Sequence, residues 1–171
     1  MADERAQENT LQYTIAYAGF WRRFLAALVD WIVLNLASTA IAIVALGIFY
    51  IFRFGIQAGP EAPSFWAAYG SMWEQVFEAV VYFCLAFPYY VIGHYRYGTT
   101  LGKWPLGIKV VRAGTLGPIS YGRSLGRFFA YLLSYLPMGC GFLMGAFQPE
   151  KRALHDLAAG TVSIVRIRVK K

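Results

Sequence analysis

Residues 18–36 read AGFWRRFLAALVDWIVLNL, and this stretch decides the fold. An aromatic and basic start leads into an apolar run from Phe24 to Phe52 whose only charged residue is Asp30. The run predicts a transmembrane helix, because about 20 apolar residues cross the hydrocarbon core of a bilayer. A carboxylate inside such a helix costs roughly 2.5–3.5 kcal/mol on insertion scales, so Asp30 is expected to have a partner, a proton or a function.

The composition of the whole chain supports a membrane protein. Of its 171 residues, 58% are hydrophobic and 15% are charged, and the length suits one compact domain. The net charge of +7 comes from basic residues that flank the apolar runs. This placement favours contact with the lipid bilayer and with anionic headgroups on its cytoplasmic side. No recognition motif for nucleic acid accompanies the charge.

Two further apolar segments follow the first. Residues 73–92 predict a second transmembrane helix, with Glu78 inside it. Residues 121–147 predict a third membrane segment, which is broken in its middle by the sequence Pro-Met-Gly-Cys-Gly.

The distribution of Lys and Arg predicts the orientation of these segments. Three precede the first span, one lies in the first loop, six lie in residues 93–127 and six in residues 148–171. The positive-inside rule then puts the N-terminus and both flanks of the third segment in the cytoplasm. A re-entrant helical hairpin or two short tilted helices fit this pattern better than a single crossing, and we favour the hairpin.

The polar segments carry a small amount of predicted β-structure. Ile108–Arg112 is typical of a short strand, and the β-branched residues of Thr161–Val169 predict a second strand that pairs with it. Between them, residues 149–160 predict a short amphipathic helix at the membrane surface, which ends at Gly160 and has His155 on its polar face.

These patterns predict an all-α polytopic membrane protein with two full transmembrane helices, a broken third membrane segment, a short cytoplasmic amphipathic helix and a small β element. Residues 1–16 are expected to form a flexible cytoplasmic tail, and residues 17–171 the membrane domain. Within that domain we expect spans at about 24–52 and 73–92, the broken segment at about 121–147, and a cytoplasmic tail at 148–171.

The charged residues near the first span suggest a buried network. Arg23 and Asp30 are seven residues apart, so they lie within about 20° of one helix face and about 10 Å apart along its axis. The expected partners of Asp30 are cations at the cytoplasmic ends of other helices, namely Arg123, Arg127, Lys103 and His155. Asp30 then forms a structural ion pair or hydrogen bond, titrates during ion or proton transport, or stays protonated near the interface.

Two other acidic residues have alternative interpretations. Asp156 lies four residues after Arg152, a spacing that favours a local surface pair, and the alternative is contact with Arg23. Glu78 either hydrogen-bonds to a neighbouring helix or takes part in an ion pathway.

Enzyme chemistry has no support in the sequence. It contains neither a Ser/His/Asp arrangement nor a Cys/His cluster, so no catalytic site, metal site or cofactor is expected. Residues 98–103, GTTLGK, lack the glycine spacing of a phosphate-binding loop.

Four blocks of the chain have the order and content of a known family. They are YAGFWRRFLAALVDWIVL (17–34), GTTLGKWPLGIKVVRAG (98–114), ISYGRSLGRFF (119–129) and RALHDLAAGTVSIV (152–165). On these blocks the chain resembles, over residues 17–168, the RDD family of bacterial membrane proteins, which is named for one Arg and two Asp. The resemblance implies that Arg23 is the family's Arg and that Asp30 and Asp156 are its two Asp. Many members carry Gly where this chain has His155.

The resemblance implies an integral membrane protein for which transport, including cation/proton exchange, has been suggested. We expect a multi-pass protein of the bacterial inner membrane with a cytoplasmic N-terminus. In a first hypothesis, an oligomer handles a cation or proton at Asp30 and Glu78. In a second, a non-transporting scaffold or accessory subunit with a membrane partner uses Arg23, Asp30 and Asp156 to hold its fold together.

Overall fold

A computed structural model describes residues 12–55, 72–135 and 139–169 of the chain. The described chain is mostly helical and carries one small sheet, in agreement with the predicted helical membrane protein with a small β element. Its elements are β1 (Gln12–Tyr17), α1 (Phe20–Phe54), α2 (Met72–Ile92), β2 (Ile108–Arg112), α3 (Tyr121–Tyr135), α4 (Cys140–Phe147), α5 (Leu154–Ala159) and β3 (Thr161–Val169).

Helices α1 and α2 are long and apolar enough to cross a membrane. At 35 residues α1 is about 52 Å long, more than the roughly 30 Å hydrocarbon core requires. In the most apolar windows of α1 and α2, 17% and 11% of residues are buried inside the protein. A core helix of a soluble protein would be mostly buried, so these exposed apolar surfaces support a membrane environment.

Each long helix ends at a glycine in a conformation that other residues rarely adopt. Gly55 follows α1 with a φ of +81°. A π-helical turn, Gly93–Tyr97, extends α2 and ends at Gly98, whose φ is +66°. Glycine has no Cβ, so it terminates a helix in this region of φ at little steric cost.

Helices α3 and α4 lie on either side of the predicted break in the third apolar segment. Residues 136–138 lie outside the described residues. The two helices approach closely at Gly141, where an added Cβ would lie 2.6 Å from the Cα of Ser134. Glycine therefore permits backbone contact between α3 and α4 at this point.

The sheet has the strand order β1-β3-β2, and both pairs of strands are antiparallel. The predicted pairing of β2 with β3 is confirmed, with Ile108 opposite Val165. Strand β1 occupies the other edge of β3, where Tyr17 lies opposite Ile164. The expectation of a flexible tail is therefore wrong for residues 12–16, because β3 offers a second free edge. Residues 1–11 lie outside the described part of the chain.

The sheet is attached to the beginning of α1 by a small apolar core. Ala18, Ala26, Ile108 and Val165 are buried together, with Leu106 packed against them. Burial of these side chains holds the start of α1 against the sheet.

Helix α5 ends at Gly160, as predicted, but begins at Leu154 rather than near Pro149. Its polar residues are not on an outer surface: His155 and Asp156 are both buried. The prediction that His155 lies on an exposed polar face is therefore wrong, because α3, α4 and the start of α1 cover it.

Candidate functional site

The carboxylate of Asp156 lies at the centre of a buried ion-pair network. It accepts hydrogen bonds from the guanidiniums of Arg23 in α1 and Arg127 in α3. Arg127 also donates to the hydroxyl of Thr161 at 2.6 Å, and the Ala153 amide donates to Asp156 at 3.1 Å. Asp156 thus joins the start of α1, α3 and α5.

The charge state of Asp156 follows from its two guanidinium partners. Burial by itself raises the pKa of the Asp156 carboxyl, but the positive charges of Arg127 and Arg23 outweigh it and hold that pKa well below its ordinary value. Asp156 therefore stays ionised at neutral pH, and the contact with Arg23, which was the alternative interpretation, is present. The local pair with Arg152, which the spacing favoured, is wrong, because Arg152 pairs with Glu150 instead.

His155 completes this network as a neutral ring. Its Nε2 lies 3.3 Å from a guanidinium nitrogen of Arg23, and its Nδ1 lies 3.1 Å from the hydroxyl of Ser134. A guanidinium has no acceptor, so Nε2 accepts and Nδ1 carries the proton. Burial and the nearby charge of Arg127 lower the pKa of His155 well below its ordinary value.

Asp30 has a different environment, made of uncharged donors. Its carboxylate is 1% exposed and accepts hydrogen bonds from the Thr100 hydroxyl at 2.6 Å and the Gly102 amide at 2.7 Å. The phenol of Tyr89 donates to it as well, and itself accepts from the Leu101 amide at 2.9 Å. Asp30 therefore joins α1 to α2 and to the segment that follows α2.

The close approach of this segment to α1 requires glycine at position 102. A Cβ added there would lie 2.2 Å from the carbonyl oxygen of Ala26 and 2.9 Å from an oxygen of Asp30. A side chain would push the 102 amide away from the carboxylate.

The cations that were predicted to pair with Asp30 bind elsewhere. Arg127 bonds to Asp156, His155 to Ser134 and Arg23, Arg123 to the Gly160 carbonyl, and Lys103 to His94. Among the described residues, Asp30 forms no ion pair. The prediction of a cationic partner is wrong because hydroxyl and amide donors already occupy the carboxylate oxygens.

Lys103 and His94 form a second buried contact that sequence reasoning missed. The Nζ of Lys103 lies 2.6 Å from Nε2 of His94, and both side chains are buried. Tyr89, Thr100 and Gly102 were not predicted as partners of Asp30. Thr100 and Gly102 belong to the block GTTLGK, which is the sequence signal that could have pointed to them.

Glu78 lies farther along the same pair of helices. The hydroxyl of Thr39 in α1 donates to it. Thr39 is nine residues beyond Asp30, or about 13 Å along the helix axis. Two carboxylates therefore lie between α1 and α2, and neither forms an ion pair with another described residue.

Comparison with known proteins identifies the family. The sequence profile of the RDD family matches residues 17–160 of the chain. The chain belongs to the RDD family. It is 31% identical over 144 residues to the uncharacterized protein YxaI of Bacillus subtilis (strain 168), an alignment that covers 84% of this chain and 94% of that protein.

A second relative matches a shorter part of this RDD protein. It is the uncharacterized protein RP437 of Rickettsia prowazekii (strain Madrid E), which is 41% identical over 76 residues, 44% of this chain and 42% of that protein. No solved structure shows significant similarity to the chain. The three residues that the resemblance assigns to the family's signature lie in two environments: Arg23 and Asp156 bind each other, and Asp30 binds neutral donors.

Proposed function

We propose that this RDD protein handles a monovalent cation or a proton at Asp30. One observation carries the proposal: Asp30 is a buried carboxylate inside a candidate membrane span, and its partners are hydroxyl and amide groups rather than a cation. A carboxylate at membrane depth without a basic partner is the kind of group that accepts a proton or binds a cation during transport.

The contrast with Asp156 supports this assignment. Two guanidiniums neutralise Asp156 and hold it ionised, so it has little capacity to exchange a proton or a cation near neutral pH. We assign Arg23, Arg127 and Asp156 to the support of the fold, and the exchangeable group to Asp30.

Glu78 is the proposed second group of the pathway. It lies between the same two helices as Asp30, and the buried hydroxyl of Ser38 lies one residue from the Thr39 that binds it. A cation or proton passing between α1 and α2 would meet these oxygen atoms in sequence.

The topology that we propose is a multi-pass protein of the bacterial inner membrane, with the N-terminus in the cytoplasm and α3 and α4 as a re-entrant pair. Two contacts support the hairpin. Arg127 of α3 bonds to Asp156, and an added Cβ at Gly145 of α4 would lie 3.5 Å from a guanidinium nitrogen of Arg23. Both helices thus reach the end of α1 where Arg23 lies. Helix α5 would lie at the cytoplasmic surface on the same side.

Reconstituted flux tests the proposed function. Protein in liposomes would be given a Na⁺, K⁺ or pH gradient, and internal pH would be followed with a trapped dye. We expect Asp30→Asn to abolish the flux and Glu78→Gln to reduce it, with both variants folded. Glu150→Gln is the matched control, because Glu150 is 52% exposed and pairs only at the surface with Arg152. Absence of flux in the parent protein under all three gradients would refute the proposal.

The alternative function is a non-transporting membrane scaffold or accessory subunit, in an oligomer or with a partner protein. The buried contact of Asp156 with two arginines favours it, because such networks fix how helices pack. Under this alternative Asp30→Asn would lower the melting temperature in detergent, and no gradient would drive flux in any variant.

A further inference from the structure

The segment between α2 and β2, residues 98–107, lies beside the wall of α1 rather than beyond its end. The Gly102 amide bonds to Asp30, and position 102 closely approaches the Ala26 carbonyl. Ala26 and Asp30 are six and ten residues into α1, which places this contact about 9–15 Å from the first residue of the helix, Phe20. Residues 98–107 are thus level with the first turns of α1.

At the same level, α1 presents an apolar surface outward. The exposed side chains there include Phe24, Leu25, Leu28, Val29 and Ile32. A continuous apolar surface on a helix that is long enough to span a membrane is expected to contact lipid. A segment that packs against α1 at residues 26–30 is then expected to lie at the depth of lipid.

The side chains of residues 98–107 are distributed as in a membrane-embedded segment. Leu101 and Trp104 are 59% and 73% exposed, whereas Thr100 and Lys103 are 5% and 6% exposed. A loop in water would expose its lysine and cover its leucine and tryptophan. Here the polar groups point into the protein, towards Asp30 and His94, and the apolar groups point out.

The backbone of the segment is also suited to a low-dielectric environment. Irregular backbone at membrane depth is tolerated only when its polar groups are bonded internally. The amide of Leu101 bonds to the Tyr89 phenol and that of Gly102 to Asp30. Further internal partners serve the amides of Gly98, Thr99, Lys103, Trp104, Gly107 and Ile108.

We infer that residues 98–107 form a re-entrant turn embedded in the lipid of the same leaflet as the start of α1, with Leu101 and Trp104 in direct contact with lipid. Tryptophan is suited to this position, because its ring favours the boundary between headgroups and acyl chains. The turn covers Asp30, whose side chain is 1% exposed. The inference concerns membrane contact and does not depend on transport.

Site-directed spin labelling tests the inference in liposomes of anionic phospholipid. The chain has two cysteines, Cys84 and Cys140, which are free and would be replaced by serine. Single labels would then be placed by Leu101→Cys and, independently, by Trp104→Cys. Collision of each label with oxygen, which concentrates in lipid, would be compared with collision with a water-soluble nickel chelate.

Two control positions calibrate the measurement. Leu28→Cys marks the lipid-facing side of α1, and Thr115→Cys marks an exposed turn after β2. We expect labels at 101 and 104 to match position 28, with high oxygen and low nickel collision. Collision values like those of position 115 would overturn the inference by placing the turn in water. Low collision with both reagents would overturn it by indicating that protein, such as a second copy, covers the turn.

Discussion

Arg23 and Asp156 form a partly buried ion pair across 133 positions of the sequence, and Arg127 binds the other oxygen of the same carboxylate. This contact joins two elements that are distant in the sequence, the start of α1 and helix α5 near the end of the chain. Two guanidiniums around one carboxylate leave the cluster with an excess positive charge. His155 is neutral and therefore adds no further positive charge to the cluster.

Asp156→Asn should strongly destabilise the protein. An amide cannot neutralise the buried guanidinium of Arg127 and the partly buried one of Arg23, and loss of one member of a buried ion pair costs about 3–5 kcal/mol. Thermal unfolding in detergent, followed by far-UV circular dichroism, measures the effect. Glu150→Gln removes an exposed carboxylate and should cost less than about 1 kcal/mol. Equal melting temperatures for the two variants would contradict a structural role for Asp156.

Exchange of the two charges, Arg23→Asp with Asp156→Arg, should not restore stability. Arg127 also contacts position 156, so the exchanged pair would bring two guanidiniums together. The double variant should melt at or below the temperature of Asp156→Asn. Recovery to the melting temperature of the parent would show that Arg127 is not bound to Asp156.

Gly102→Ala should disturb the site of Asp30 by steric clash. Its Cβ would lie 2.2 Å from the Ala26 carbonyl oxygen, so the turn must move and the 102 amide leaves the carboxylate. Overpacking of this kind costs about 1–3 kcal/mol. Gly126→Ala in α3 is the matched control, because an added Cβ there meets nothing within 4 Å and alanine favours helix. The control should melt at or above the temperature of the parent, and a similar fall for both variants would argue against the packed turn.

Tyr89→Phe should remove a donor from Asp30 and an acceptor from the Leu101 amide. Leaving buried polar groups without partners costs about 1–3 kcal/mol. Tyr121→Phe is the comparison, because the Tyr121 side chain is exposed and its loss should change stability little. Chemical unfolding in detergent would distinguish the two, and equal midpoints would refute the bridging role of the phenol.

The stability of the protein should fall as the pH decreases through the ordinary pKa of histidine. The pKa of His155 is lower in the folded chain than in the unfolded chain, where it is about 6.5. Below that pH the unfolded state binds more protons, so the free energy of unfolding decreases by up to about 1.4 kcal/mol per pH unit for this group. Above about pH 7.5 His155 is neutral in both the folded and the unfolded chain, so it no longer makes the free energy of unfolding depend on pH.

His155→Gln isolates this contribution from that of the other histidine, His94. Melting temperatures at pH 5.5, 6.5 and 7.5 should vary less in the variant than in the parent. The same pH dependence in both proteins would show that His155 does not resist protonation in the fold.

Much of the architecture could be predicted because it depends on local patterns. Apolar runs of sufficient length produced α1 and α2, and glycines with positive φ ended α1 and α5. The β-branched residues of β2 and β3 were enough to predict their pairing. Strand β1 could not be predicted in this way, because its place depends on the free edge of β3, about 150 residues away in the sequence.

The candidate site likewise combines features that the sequence predicts with features that only the fold decides. The sequence by itself determined that Asp30 lies in an apolar helix and therefore needs a partner, and the family resemblance selected Arg23 and Asp156. Only the tertiary structure decided the partners: two arginines gather around Asp156, whereas the turn brings a hydroxyl and an amide to Asp30 and α2 brings a phenol. The physical reason is that hydropathy is a property of each segment, whereas a hydrogen bond depends on which segments approach within about 3 Å.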